Sequence, residues 1–93
     1  MDQLARIIYM EELLDRCIRD LHDETLRPSL SPMIRELSDY YSSSLWLRDL
    51  DDDRAGKLPA DLKRGVLSED AIYDLLGEWD ALTEGKRAPP ALS

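Results

Sequence analysis

With 93 residues, 20 of them Asp or Glu against 12 Lys or Arg, the chain has room for one domain and a net charge of −8. Together with a sequence pI near 4.5, this disfavours a surface made for nucleic-acid phosphates or anionic lipid, which would be repelled at long range. No apolar run approaches the roughly 18 residues of a membrane span. The start MDQLARII lacks a secretory signal, and the single cysteine, Cys17, makes no internal disulfide. A protein of the reducing cytoplasm is the expectation.

The absence of phenylalanine and of β-branched runs points to helices. Leu4, Ile7, Ile8, Met10, Leu13, Leu14, Cys17, Ile18 and Leu21 follow the helical i, i+3, i+4, i+7 pattern, so a first helix is expected from Gln3 to about Thr25, capped by Asp2. Ile7, Met10, Leu14, Cys17, Ile18 and Leu21 share one face, with Leu13 and Ile8 on opposite flanks. That stripe is wider than one partner helix covers, so either two further helices of the chain pack on it or a second copy does. Arg6, Arg16 and Arg19 with Glu12, Asp15 and Asp20 form the solvated side, where Glu12–Arg16 and Asp15–Arg19 are i, i+4 pairs in the favourable order.

Pro28 and Ser29 interrupt this helix, and Ser31-Pro32 reads as N-cap and first position of a second. It is expected to run to about Asp51 and to form an antiparallel hairpin with the first. Met33, Ile34, Leu37, Tyr40, Tyr41, Ser44 and Leu45 group on one side, Ser44 being suited to a close backbone approach. Trp46 and Leu50 project from the other side and require cover from the C-terminal third. The acids Asp49 and Asp51 to Asp53 help stop the helix against its dipole. Arg54 to Gly65 is a structured Gly/Pro loop with Gly56 at a turn, Leu58 and Leu62 as anchors and a single turn at 59–62; Gly65 supplies a special backbone conformation. Ser68, followed by Glu69 and Asp70, caps a third helix to about Glu84, carrying Ala71, Ile72, Leu75, Leu76, Trp79 and Leu82 on one stripe. Gly85 fits the position after its end, and 86–93, with two prolines, reads as a disordered tail after a single helical domain of residues 1–85.

The strings YYSSSLW (from Tyr40), GKLP (from Gly56) and DLKRGVLSED (from Asp61) followed by AIYDLL resemble a small bacterial family known only as domain of unknown function 4298. The resemblance covers nearly the whole chain. It implies no activity, substrate, cofactor or catalytic residue.

Chemistry-bearing residues are sparse. Asp49 to Asp53 suggests a calcium loop, but an EF-hand starting at Asp49 needs glycine at its sixth place and glutamate at its twelfth, where Arg54 and Ala60 stand. His22, the single histidine, has no second ligand or nucleophile at a meaningful offset and suits a helix C-terminus. Cys17 lies in an apolar stripe, which raises rather than lowers a thiol pKa. Lys63 and Arg64, with Arg54 and Lys57, precede a helix N-terminus, yet Glu69 and Asp70 oppose an incoming anion there, and pairing with the acids of 49–53 is the expected role.

The fold expected is therefore all-α: an N-terminal antiparallel helical hairpin, a structured Gly/Pro loop and a short C-terminal helix. The function expected first is a non-catalytic protein–protein interaction or assembly module, most simply a homodimer through the wide face of helix one at Ile7, Met10 and Leu14. Tyr40, Tyr41 and Trp46 read as core or as aromatic anchors for a protein partner. A second reading is a small enzyme or ligand binder with a site among Tyr40, Tyr41, Asp49, Lys63 and Arg64. A third is an acidic mimic of nucleic acid that blocks a basic protein. No cofactor or metal is implied, and Ser68, Glu69 and Asp70 remain motif residues of undecided role.

Overall fold

Asp2, on extended backbone, accepts the Ala5 N–H at 2.8 Å and so starts helix α1, Gln3–Asp20. The computed structural model describes residues 1–83, and among them the chain continues through a 3₁₀ turn, Arg27–Leu30, helix α2, Ser31–Tyr41, helix α3, Ser44–Arg54, a second 3₁₀ turn, Gly65–Leu67, and helix α4, Ala71–Thr83, with no strand. Gly85 and the 86–93 tail lie outside the described residues. None of the described helices is long and apolar enough to cross a membrane.

Helix α1 ends at Asp20 rather than Thr25. Asp23 turns the chain well ahead of Pro28 by accepting the N–H groups of Thr25 and Leu26 at 2.8 and 3.1 Å. Arg27 donates to the Leu21 carbonyl at 2.7 Å, pairing a group the helix end would leave open. Ser31 does not cap α2. Its backbone is already helical (φ −51°, ψ −47°), because the 3₁₀ turn runs straight into the helix.

The long second helix expected over 32–51 is two helices. Ser43 is extended (φ −99°, ψ 162°), and its hydroxyl accepts the Trp46 N–H at 3.4 Å while donating to the Tyr40 carbonyl at 2.7 Å. A serine that competes for backbone groups in this way breaks a helix and starts another. Ser44 is then an exposed first residue of α3 and not a close-packing position. Helix α3 ends on Gly56 at φ 74°, with the Gly56 N–H bonded to the Asp53 carbonyl and the Lys57 N–H to the Asp52 carbonyl, both at 3.0 Å. This paired closure needs a left-handed residue after the helix, and glycine adopts it without steric cost.

Most of the wide stripe of α1 is covered within one chain, by α2, the Gly65–Leu67 turn and α4, but Ile18, expected on the buried face, is 55% exposed and Ile8 on its flank is 49% exposed. Ile7, Leu14 and Cys17 are buried there with Leu30, Leu37, Val66 and Ile72. Tyr9 donates to Glu36 at 3.1 Å, consistent with the antiparallel course of α1 and α2. Burial pushes the Cys17 thiol up to about 11, so it stays protonated and unreactive at neutral pH. His22 contacts Glu78 at 3.2 Å and ties the end of α1 to α4. The expected i, i+4 pairs on α1 are replaced: Arg16 and Arg19 both turn to Asp20, at 3.8 and 3.2 Å, in the last turn where the helix dipole favours cations.

Candidate functional site

Asp49 departs most from the sequence reading. It sits on α3 with 0% of its side chain exposed and accepts from Arg6 Nε and Nη2 of α1 at 2.9 and 2.7 Å, from Tyr40 of α2 at 2.5 Å and from Gln3 of α1 at 3.0 Å. Arg6, expected on the solvated side, is thus the bidentate partner of a buried carboxylate. Burial by itself would push Asp49 up. The hydrogen bonds from Arg6, Tyr40 and Gln3, together with the Arg6 charge, outweigh that and hold the carboxyl below its ordinary value. Burial and the bond to Asp49 push the Tyr40 hydroxyl the other way, so it remains a proton donor. Among the described residues no buried side-chain nitrogen or oxygen lacks a partner. The cluster is chemically closed, and it joins α1, α2 and α3.

The remaining acids of the run are dispersed. Asp52 accepts from Gln3 at 2.8 Å and lies 3.9 Å from Lys57. Asp53 pairs with Arg64, which also donates to the carbonyls of Pro59 and Leu62 at 2.5 and 3.2 Å. Among the described residues no group of three or more His, Cys, Asp or Glu is placed to hold a metal ion. Loop and helix are therefore clamped by Arg64, while Lys63 makes no ion pair among the described residues. Arg64→Glu is expected to cost roughly 1 kcal/mol and to lower Tm by several degrees. Lys63→Glu should leave Tm unchanged, and equal melting shifts for the two variants would contradict this assignment.

The segment Arg64 to Asp70 wedges between helices. Val66 is fully buried, with its N–H donated to Glu11 of α1 at 2.8 Å and its carbonyl accepting Trp46 Nε1 of α3 at 3.0 Å. Gly65 has no positive φ. Its role is close approach, because a Cβ there would stand 3.1 Å from the Glu11 carboxylate. Ser68, on extended backbone, accepts the Asp70 N–H at 3.2 Å and so opens the turn that leads into α4. Tyr41 donates to the Glu69 carbonyl at 3.1 Å and meets Trp46 edge to face at 4.8 Å, while Arg54 pairs with the Glu69 carboxylate.

On the outside of this wedge, Tyr41, Trp46, Leu47, Leu50 and Tyr73 form an open groove of about 440 Å³ with Arg54, Glu69 and Asp70 around it. Leu47 is 56% exposed and Tyr73 66%. A second groove, of about 400 Å³, lies where α1 faces the loop at Pro59 to Lys63.

The family model described as Domain of unknown function (DUF4298) matches residues 7–85. The chain belongs to that family. In this DUF4298 chain the string RGVLSED supplies the wedge and YYSSSLW supplies both the break between α2 and α3 and the aromatic pair that grips it. No curated protein and no solved structure matches the chain.

The candidates named from sequence are separated by the fold. Ile7, Leu14, Tyr40, Trp46 and Asp49 are interior, Met10 and Arg64 are half-buried, and Lys63, Ser68, Glu69 and Asp70 are exposed. Tyr41, Trp46, Glu69 and Asp70 meet at one groove and Lys63 lines the other, whereas Tyr40, Asp49 and Arg64 line neither. Sequence reasoning passed over Gln3, Arg6 and Glu11. At 100° per residue Gln3 and Glu11 fall within about 40° of Ile7, on the buried face. A polar side chain at such an angle was the available signal for a tertiary partner.

Proposed function

We propose that the chain is a non-catalytic module that binds another protein. The carrying observation is the surface made by α3 and α4: exposed Leu47 and Tyr73 flank a groove whose apolar walls include Tyr41, Trp46 and Leu50, with Arg54, Glu69 and Asp70 beside them. Large apolar and aromatic side chains surrounded by polar groups have the anatomy of a protein interface. Two further features support the reading. The residues of the ligand-binding alternative do not share a cavity, since Tyr40 and Asp49 are interior while Tyr41 and Lys63 line different grooves. Nucleic-acid mimicry draws on rows of free carboxylates, whereas Asp49, Asp53 and Glu69 are each paired with an arginine, and Glu12, Asp15 and Asp61, unpaired among the described residues, border a groove floored by Leu4, Ile8, Pro59 and Leu62.

The test compares affinity capture by the wild-type chain and by Leu47→Ser with Tyr73→Ser, at matched expression. A specific partner held by the wild type and lost by the double variant, with unchanged Tm, is expected. Retention of the partner by the variant, or capture of nothing specific by the wild type, would overturn the proposal. Sedimentation over a range of concentrations identifies the partner as a second copy if a dimer of the 10.7 kDa chain reverts to monomer in the variant.

A further inference from the structure

We infer that the groove between α1 and the loop at 59–63 receives a basic amphipathic helix of a partner protein. The inference rests on the reading of the chain as a binding module and supplies the chemistry of the partner. Leu4 and Ile8, one helical turn apart on α1, are 39% and 49% exposed, and with Pro59 and Leu62 they form the apolar floor of a groove of about 400 Å³. Residues at i and i+4 present neighbouring side chains along one line, matching the i, i+4 anchors of a docked helix.

Charge selects the occupant. Glu12 and Asp15 on α1 and Asp61 on the facing loop line the same groove, all exposed, and none has a cation of the described residues within ion-pair distance. Glu11, also lining the groove, is already held by the Val66 N–H at 2.8 Å. Lys63 is the cation in the lining and is outnumbered by these carboxylates. A ligand with apolar residues on one face and lysine or arginine beside them satisfies both floor and rim. A second copy docking face to face would set the same carboxylates against each other, and a nucleic acid or anionic membrane would be repelled.

The test uses a synthetic peptide of leucine, alanine and lysine with its leucines on one helical face, titrated by fluorescence anisotropy into the full chain at low and physiological salt. Saturable one-to-one binding is expected, weakened at least tenfold by Ile8→Ser, which leaves the charge unchanged, and by Glu12→Lys with Asp15→Lys, which leaves the floor unchanged. Ile18→Ser, an exposed apolar position outside the groove, should bind as the wild type does. Equal binding of a scrambled peptide, or no weakening by Ile8→Ser, would reduce the interaction to net charge and overturn the inference. So would a wild-type dimer that Ile8→Ser dissolves, which would assign the groove to a second copy. Failure here with partner capture through Leu47 and Tyr73 intact removes this groove and leaves the module, whereas capture of nothing specific by the wild type overturns the module reading on which this inference rests.

Discussion

Asp49→Ala is expected to lower the free energy of unfolding by about 3–5 kcal/mol, the typical cost of deleting one member of a buried ion pair. The Arg6 side chain, 15% exposed, would keep its charge without a counter-ion, and the Tyr40 hydroxyl would lose its acceptor. A domain of this size has a total stability of roughly 5–14 kcal/mol, so the variant sits near the edge of folding and its urea midpoint should fall by about 2 M. Replacing the group apolar for polar, with Arg6→Met, Tyr40→Phe and Asp49→Leu together, should recover most of the loss, because no charge is then stranded. The same carboxylate sets a pH dependence. Its folded pKa lies below the unfolded value of 3.8, so its stabilisation is complete above the unfolded pKa and is lost as pH falls through the folded one. The stability difference between wild type and Asp49→Asn should therefore be constant near neutrality and shrink on acidification below about pH 5. A difference that stays flat down to pH 2 would show that folding does not shift the Asp49 pKa, and so that Arg6, Tyr40 and Gln3 do not favour its ionised form.

The two serine-based helix starts show where legibility ended. Ser31, before a proline, has the stronger local signature, yet it is helical and Ser43 is the cap. Capping requires extended backbone, and at Ser31 the incoming 3₁₀ turn had already committed the chain to helix. The hairpin of α1 and α2 was readable because it follows from apolar periodicity and a short connection at Pro28, and so was the need of Trp46 and Leu50 for cover. The identity of that cover, a turn of Gly65–Leu67 rather than a helix face, was not readable, because its contacts rest on side-chain bonds from Glu11 and Trp46 to one residue, Val66. Asp49 looked like part of a solvated acidic stop for the same reason. Its partner Arg6 is 43 residues away, and no local pattern distinguishes the one buried aspartate from its neighbours Asp51, Asp52 and Asp53. The breadth of the α1 stripe left open whether cover came from the chain itself or from a second copy. The chain supplies most of it; Leu4 and Ile8 stay outside on the flank toward Glu12 and Asp15, and Ile18 stays outside near the end of the helix.

Trp46→Ala is expected to cost about 3–5 kcal/mol, the range for removing a large aromatic from a packed interior, and to disturb the α3–α4 surface as well as the core. Trp46 packs edge to face on Tyr41 and holds the Val66 carbonyl, so its loss opens a cavity and leaves a buried acceptor unpaired. Trp46→Phe separates the two effects. It retains an aromatic ring against Tyr41 but has no N–H, and a loss of about 1–3 kcal/mol would measure the unpaired Val66 carbonyl. Because Tyr41 also donates to the Glu69 carbonyl, release of the wedge should raise amide exchange at Val66 through Asp70 in both variants, more in Trp46→Ala. A Trp46→Phe protein as stable as wild type, with unchanged exchange over that segment, would mean that the indole bond does not hold the wedge.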